Sequence, residues 1–264
     1  MDQRDYEDIL YEVDGPVAVV TINRPDRYNA FRGRTVDELI HAFRASWADK
    51  AVRSVVFTGA GTKAFCSGGD VKQRAETGDY GPTESGMFEV DYFHKLIRDI
   101  PKPVIAAVNG LAIGGGHVFH VLCDVTIASE TASFGQAGPR VGSFDAGFGS
   151  AYLARIIGQK RAHEIWMFCR QYDAATAERW GLVNAVVPLA ELRPTVRAWA
   201  DEALALSPTA LKVLKHSFNA ETEHIAGIGA LAFDSLELFV DTPEAREGVT
   251  AFNEKRPPDF SSYR

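Results

Sequence analysis

The sequence predicts an α/β core followed by a region built of helices alone, and three observations predict it. Short apolar runs alternate with amphipathic stretches along the first part of the chain, the former reading as buried strands and the latter as helices. Two of the apolar runs lead into glycine-rich corners, at 64–70 and at 113–116. Past Pro188 the strand signals stop and four helical periods follow one another. The boundary is therefore placed there, with residues 1–190 as the core carrying the site and 191–264 as a helical region.

With 264 residues the chain can bury a sizeable core. Lys plus Arg (28) against Asp plus Glu (35) leaves a net charge of -7, with no basic run. That balance argues against nucleic acid or an anionic membrane as partner and leaves room for local basic spots that meet a phosphate-bearing small molecule. Cys66, Cys123 and Cys169 sit in apolar surroundings and read as buried free thiols. Residues 1–8 lack the basic and apolar regions of a signal peptide, and no apolar run is long enough to span a bilayer. The expectation is a cytoplasmic protein.

Taken in order, residues 17–22 read as a strand closed by the turn residues Asn23-Arg24-Pro25-Asp26. Thr35 opens an amphipathic helix with Val36, Leu39, Ile40 and Phe43 on one stripe, and Glu38 is spaced to complete a capping box. Residues 54–58 form a second strand, followed by the corner Ala64-Phe65-Cys66-Ser67-Gly68-Gly69-Asp70. Residues 72–86 mix charges with glycines and Pro82 and read as a mobile loop. A helix over 88–100 stops at Pro101-Lys102-Pro103, and the strand 104–108 runs toward the second corner. After a strand at 124–128, residues 134–149 are irregular, with glycines throughout. Helices are expected over 150–157 and 161–169, a strand over 182–187, then helices over 192–206, 209–220, 225–239 and 243–255.

Gly114, Gly115 and Gly116 stand where strand becomes helix, so no side chain covers the first helical N–H groups. Those donors lack partners inside the helix and carry the positive end of its dipole, which suits an anion or one that forms during a reaction. Close strand–helix packing explains the same glycines, and the residues alone leave both readings open. Asp145 can cap the helix near Ser150 or carry a proton. Ser143 fails as an elbow nucleophile because Val141 stands where a glycine is needed, which leaves it a hydrogen-bonding role. His117 and His120 share a helical face with Asp124 one turn on, but their apolar surroundings supply no further ligand cluster, and no metal is assigned. Lys72 and Arg74 read as a solvated loop or as contacts to an anion, and Tyr80 as packing or as a proton donor.

Asn23-Arg24-Pro25 with Asn29-Ala30-Phe31, the Cys66 to Asp70 corner, Lys102-Pro103-Val104 with Gly114-Gly115-Gly116, and Phe252-Asn253-Glu254-Lys255-Arg256 together resemble the crotonase (enoyl-CoA hydratase/isomerase) superfamily over nearly the whole chain. The resemblance implies a spiral of repeated ββα units with a C-terminal helical region that builds homotrimers, often paired into hexamers. It implies an acyl-CoA thioester as substrate, with no tightly bound cofactor. Carried over residue by residue, it places two backbone oxyanion donors at Gly69 and Gly115. Substrate and CoA contacts fall on Arg27, Ala30, Ser67, Gly68, Asp70, Lys72 and Arg74, with Phe252 and Lys255 reaching the CoA, often from a neighbouring subunit. Where hydratases of the superfamily carry two glutamates, this chain has Val118 and Gly138, and neither can transfer a proton.

Within the superfamily, residues 136–145, Glu164-Ile165-Trp166 and Cys169-Arg170-Gln171-Tyr172 are similar to those of 1,4-dihydroxy-2-naphthoyl-CoA synthase and 2-ketocyclohexanecarboxyl-CoA hydrolase. This likeness implies Ser143, Asp145 and Tyr80 as catalytic residues. It also implies a bicarbonate near Gln136, Gly138 and Trp166, in room that Gly138 leaves open, although Ala137 replaces a usual threonine. Ala226-Gly227-Ile228 and Asp241-Thr242 with Arg246-Glu247-Gly248 look more like the hydrolase. Both relatives place a tyrosine where this chain has Val240, so either Tyr80 or Asp145 takes over that step or the substrate differs from those of both relatives. The expectation is an acyl-CoA enzyme of Claisen or retro-Claisen type, ring closure slightly ahead of ring-opening hydrolysis. A hydratase or isomerase with an unusual base, and a thioester-binding protein without catalysis, remain as alternatives.

Overall fold

A computed structural model describes residues 5–263. The strands form two sheets. The larger contains β1 (Ile9–Asp14), β2 (Val17–Ile22), β3 (Ser54–Gly59), β5 (Val104–Val108), β7 (Val125–Ser129) and β10 (Ala185–Val187), in that spatial order. The smaller contains β4 (Ala64–Cys66), β6 (Leu111–Ile113), β8 (Ser133–Gly135) and β9 (Gln171–Asp173). The β1–β2 hairpin and the β8–β9 pair are antiparallel, and every other pairing is parallel. Three times the chain runs through a strand of the large sheet, steps to a strand of the small one and then enters helix: β3–β4, β5–β6 and β7–β8. This is the expected spiral of ββα units.

The five strands expected from apolar runs all belong to the large sheet. Every strand of the small sheet is three residues long, too short to display a period of two. Two asparagines tie the turns of the spiral together. Asn29 Nδ2 donates to Ala60 O at 3.0 Å and Ala64 O at 2.7 Å, and Asn109 Nδ2 to Gly59 O at 2.9 Å and Gly61 O at 2.8 Å.

Alternation along the large sheet separates two cores. Ala18, Val20, Val55, Phe57, Val104 and Ala106 face the helices α1 (Gly33–Ala48), α3 (Val90–Asp99) and α4 (Gly115–Leu122). Val17, Val56, Ile105, Ala107 and Ile127 face the other way, where Leu192, Val196 and Ala200 of α8 (Leu192–Leu204) cover them. The strands end near Pro188 as expected, yet the first helix beyond it completes the second core. Between these elements lie α2 (Val71–Thr77), α5 (Leu153–Ile157), α6 (Gln159–Phe168) and α7 (Ala174–Arg179); α9 (Pro208–Glu221), α10 (His224–Val240) and α11 (Pro243–Asn253) finish the chain.

Two local expectations change. Glu38 closes no capping box; its carboxylate accepts from the backbone N–H of Glu7 at 3.0 Å and of Asp8 at 2.8 Å. The amides entering β1 need an acceptor, and a carboxylate on the buried face of α1 supplies it. Thr35 Oγ1 instead donates to Asp8 Oδ2 at 2.6 Å. The segment 72–86 is not all loop, because Asp70 caps α2 by accepting from Gln73 N at 3.2 Å. The three cysteines are free and buried, as expected. Among the described residues no helix is long and apolar enough to cross a membrane.

Candidate active site

The two glycine corners meet. An isolated parallel bridge joins Phe31 to Gly69: Phe31 N donates to Gly68 O at 2.9 Å and Asp70 N to Phe31 O at 2.8 Å. Gly68 takes φ +95°, and a Cβ placed on it would lie 3.2 Å from Gly115 N, so only glycine lets the corners approach this closely. Gly115 is the first residue of α4. Among the described residues neither Gly69 N–H nor Gly115 N–H has a backbone acceptor, and both residues border one cleft of about 510 Å³. The packing explanation applies one residue further on, where a Cβ on Gly116 would fall 2.0 Å from Cys66 O.

Asp145, Ser143, Gln136, Gly138 and Trp166 border the same cleft from the segment after β8 and from α6. Asp145 does cap the π-helical turn Phe148–Tyr152: its Oδ1 accepts from Gly149 N at 3.1 Å. Burial disfavours the ionised carboxylate more than that bond favours it, and its pKa is raised to about 7. The same peptide group of Gly149 is held from its other end, because Trp166 Nε1 donates to Gly149 O at 2.6 Å. Gln136 Nε2 lies 3.3 Å from Gly114 O and braces the second corner.

Gly138 itself has no room for a side chain, although Gly138, Gln136 and Trp166 all border the open cleft. A Cβ there would stand 2.7 Å from Ser143 O and 3.3 Å from the Trp166 ring. The segment folds back on itself through Ser143 N donating to Gly138 O at 2.9 Å, which brings that carbonyl over the glycine. With the indole N–H already engaged by Gly149, a bicarbonate here would find no donor on Trp166. Val118, the other position that is a glutamate in hydratases, is 1% exposed within the main core.

Tyr80 reaches the cleft from the segment after α2, its ring stacked on Phe88 at 4.7 Å. Arg27, Ala30, Ser67, Gly68, Asp70, Lys72 and Arg74 line the cleft. Two of them also have partners within the protein. Asp70 accepts from Arg24 Nη2 at 2.9 Å, and the buried Arg74 donates to Gly142 O at 3.0 Å, tying α2 to the loop before Ser143. Phe252 borders the cleft, and Lys255 does not: it lies beyond the end of α11, exposed, with φ +55°. Val240 lines a neighbouring hollow with Arg74, Asp241 and Arg246.

Among the cleft residues that the sequence reading did not assign to the site are His94 on α3, and Phe233 and Leu236 on α10. The only signal for His94 was a polar side chain on the apolar stripe of its helix, among Val90, Phe93 and Ile97. The residues from α10 carried no signal, because their neighbours come from distant parts of the chain. His117 and His120 face each other, Nδ1 to Nε2 at 2.9 Å, and Asp124 turns away to Lys215 Nζ at 2.7 Å. Among the described residues no group of His, Cys, Asp or Glu is arranged to hold a metal.

The enoyl-CoA hydratase/isomerase family model matches residues 12–263. Among solved structures, the chain is 29% identical to an enoyl-CoA hydratase from Mycobacterium avium subsp. paratuberculosis, covering 97% of this chain and 100% of that one with a TM-score of 0.87. It is 31% identical to a carnitinyl-CoA hydratase from Mycobacterium avium, covering 98% and 100% with a TM-score of 0.84. An enoyl-CoA hydratase/isomerase from Pseudoalteromonas atlantica is 28% identical over 97% and 100%, with a TM-score of 0.87. The spiral of ββα units, the paired glycine corners and these matches agree: the chain belongs to the enoyl-CoA hydratase/isomerase family, the crotonase superfamily.

Proposed function

We propose that this protein performs Claisen or retro-Claisen chemistry on an acyl-CoA thioester, with the enolate oxygen held by Gly69 N–H and Gly115 N–H. One observation carries the reading: two backbone donors without backbone acceptors border one cleft, one from each glycine corner. Such a pair polarises a thioester carbonyl and acidifies its α-carbon, and one such donor is typically worth about 2.7–4 kcal/mol of barrier. Asp145, its pKa raised to about 7, is suited to move a proton near neutrality, and Tyr80 and Ser143 supply hydroxyls at the same cleft. Lys72 and Arg74 bring positive charge toward a substrate carboxylate or the CoA phosphates, with Arg27 and Phe252 at the same cleft.

Ring closure of the naphthoate-synthase type is the first form of this chemistry. Ring-opening hydrolysis is a second, supported by the Trp166 indole N–H being taken by Gly149 O, which leaves one donor fewer for the bicarbonate that the synthase likeness implies. Hydration comes third, since Val118 and Gly138 provide no carboxylate. A homotrimer or hexamer fits the apolar side chains left exposed on α9 and α10, Phe218 (77%), Leu231 (68%) and Leu238 (79%).

The test offers o-succinylbenzoyl-CoA and 2-ketocyclohexanecarboxyl-CoA to the purified protein while the thioester absorbance is followed, with α-proton exchange in D2O read by mass spectrometry. Turnover of either ester, or exchange without turnover, supports the enolate reading. Saturable CoA-ester binding with neither leaves a thioester-binding protein without catalysis.

A further inference from the structure

His94 sits in the middle of α3 with 1% of its surface exposed. Neither Nδ1 nor Nε2 has a hydrogen-bond partner, yet the residue borders the cleft. Its neighbours are aromatic: ring centroids of Phe119, Phe233 and Phe148 lie at 5.6, 5.9 and 6.5 Å. Burial and the nearby Lys95 push its pKa down to about 3, so the ring is neutral and offers one donor and one acceptor. A buried polar group without a partner is destabilising, because it gives up its hydrogen bonds to water and gains none in return. Leucine or phenylalanine would satisfy a purely structural demand at this position.

We infer that His94 selects the acyl group, hydrogen-bonding an uncharged oxygen, a ketone or hydroxyl, carried on an otherwise apolar acyl chain or ring. The inference rests on the acyl-CoA reading above. A bound water would need two to four polar partners, and the three aromatic rings supply none, leaving only the unpartnered Arg98 Nη1 one helical turn on. A substrate oxygen needs only the imidazole, because the rest of its surroundings is its own hydrocarbon, which Phe88, Val90, Phe233 and Leu236 can receive.

The experiment compares calorimetric affinities for cyclohexanecarboxyl-CoA and for its 2-keto and 4-keto derivatives, in the wild type and in His94→Leu. At least one ketone is expected to bind wild type on the order of tenfold more tightly than the parent ester, and His94→Leu to lose that preference while binding the parent as before. No preference in the wild type, or a preference that survives in His94→Leu, overturns the inference and leaves the acyl-CoA reading standing. Failure of every ester to bind overturns both. Folding is checked by thermal melting, where the ligand-free leucine variant is expected to match or exceed the wild type. The ¹⁵N shifts of the His94 ring in the unmutated protein give an independent readout: the preferred ketone is expected to move them and the parent ester not, and equal shifts with both overturn the inference.

Discussion

The ring of Tyr80 stands over Gly69: a Cβ on that glycine would lie 2.5 Å from Tyr80 Cε1 and 2.8 Å from its hydroxyl oxygen. The contact is with a side chain, which can swing aside, so Gly69→Ala is expected to fold. It is also expected to displace the phenol from the donor pair and to reduce kcat/KM by about 10²–10⁴ through loss of the Tyr80 hydroxyl as proton carrier. Gly116→Ala is the contrasting variant, since its Cβ would meet the backbone at Cys66 O at 2.0 Å. It is expected to lower Tm markedly, while Gly69→Ala leaves Tm within a few degrees. An active, normally melting Gly69→Ala enzyme, which keeps the backbone N–H, would show that the Tyr80 phenol is not needed beside the donor pair.

Asp145 sets a pH dependence whose sign follows from its raised pKa, about 7 against an ordinary 3.8. Between those values the folded protein holds a proton that the unfolded chain releases, so stability falls as pH rises through the window. Activity moves oppositely, because only the ionised form accepts a proton, and kcat/KM is expected to rise through about pH 7. Asp145→Asn is expected to flatten both profiles and to lower kcat by roughly 10²–10⁴. Denaturation midpoints and rates measured from pH 5 to about 8.5 check this, and an unchanged rate profile in the variant would exclude Asp145 as the proton carrier.

Trp166 and the carbonyl of Gly149 predict independence from bicarbonate. The indole N–H donates to that carbonyl at 2.6 Å, and Ser143 O covers Gly138. Adding bicarbonate to a decarbonated assay is expected to leave the rate unchanged. Trp166→Phe, which removes the donor and keeps the ring, is expected to lower stability by about 1 kcal/mol in urea melts. Bicarbonate activation of the wild type would show that the anion binds without the indole N–H.

Lys215 anchors the helical region to the core. Its ammonium, on a side chain 7% exposed, donates to Asp124 Oδ2 at 2.7 Å, Lys102 O at 3.1 Å and Ile97 O at 3.2 Å. Lys215→Met keeps the stem and leaves these acceptors without their cation, with an expected loss on the order of 3 kcal/mol. A change below about 0.5 kcal/mol in urea melts would show that α9 does not depend on this contact.

The sequence by itself determined the strands of the large sheet that carry apolar runs, the run of helices after Pro188, and the two glycine corners, because each is written in consecutive residues. It left β4, β6, β8 and β9 unmarked, since three residues cannot show a period, and it read Glu38 as a local cap when its partners, Glu7 and Asp8, lie a strand away. Only the tertiary structure decided that the corners meet at Gly68 and Gly115, that Ser143 closes over Gly138, and that His94 faces a cleft finished by Phe233 and Leu236 of α10. The first and last of those relationships join residues tens to more than a hundred positions apart, and the second is a local fold-back that no sequence period marks. They exist only once the spiral has wound strand on strand and the last helices have packed against it.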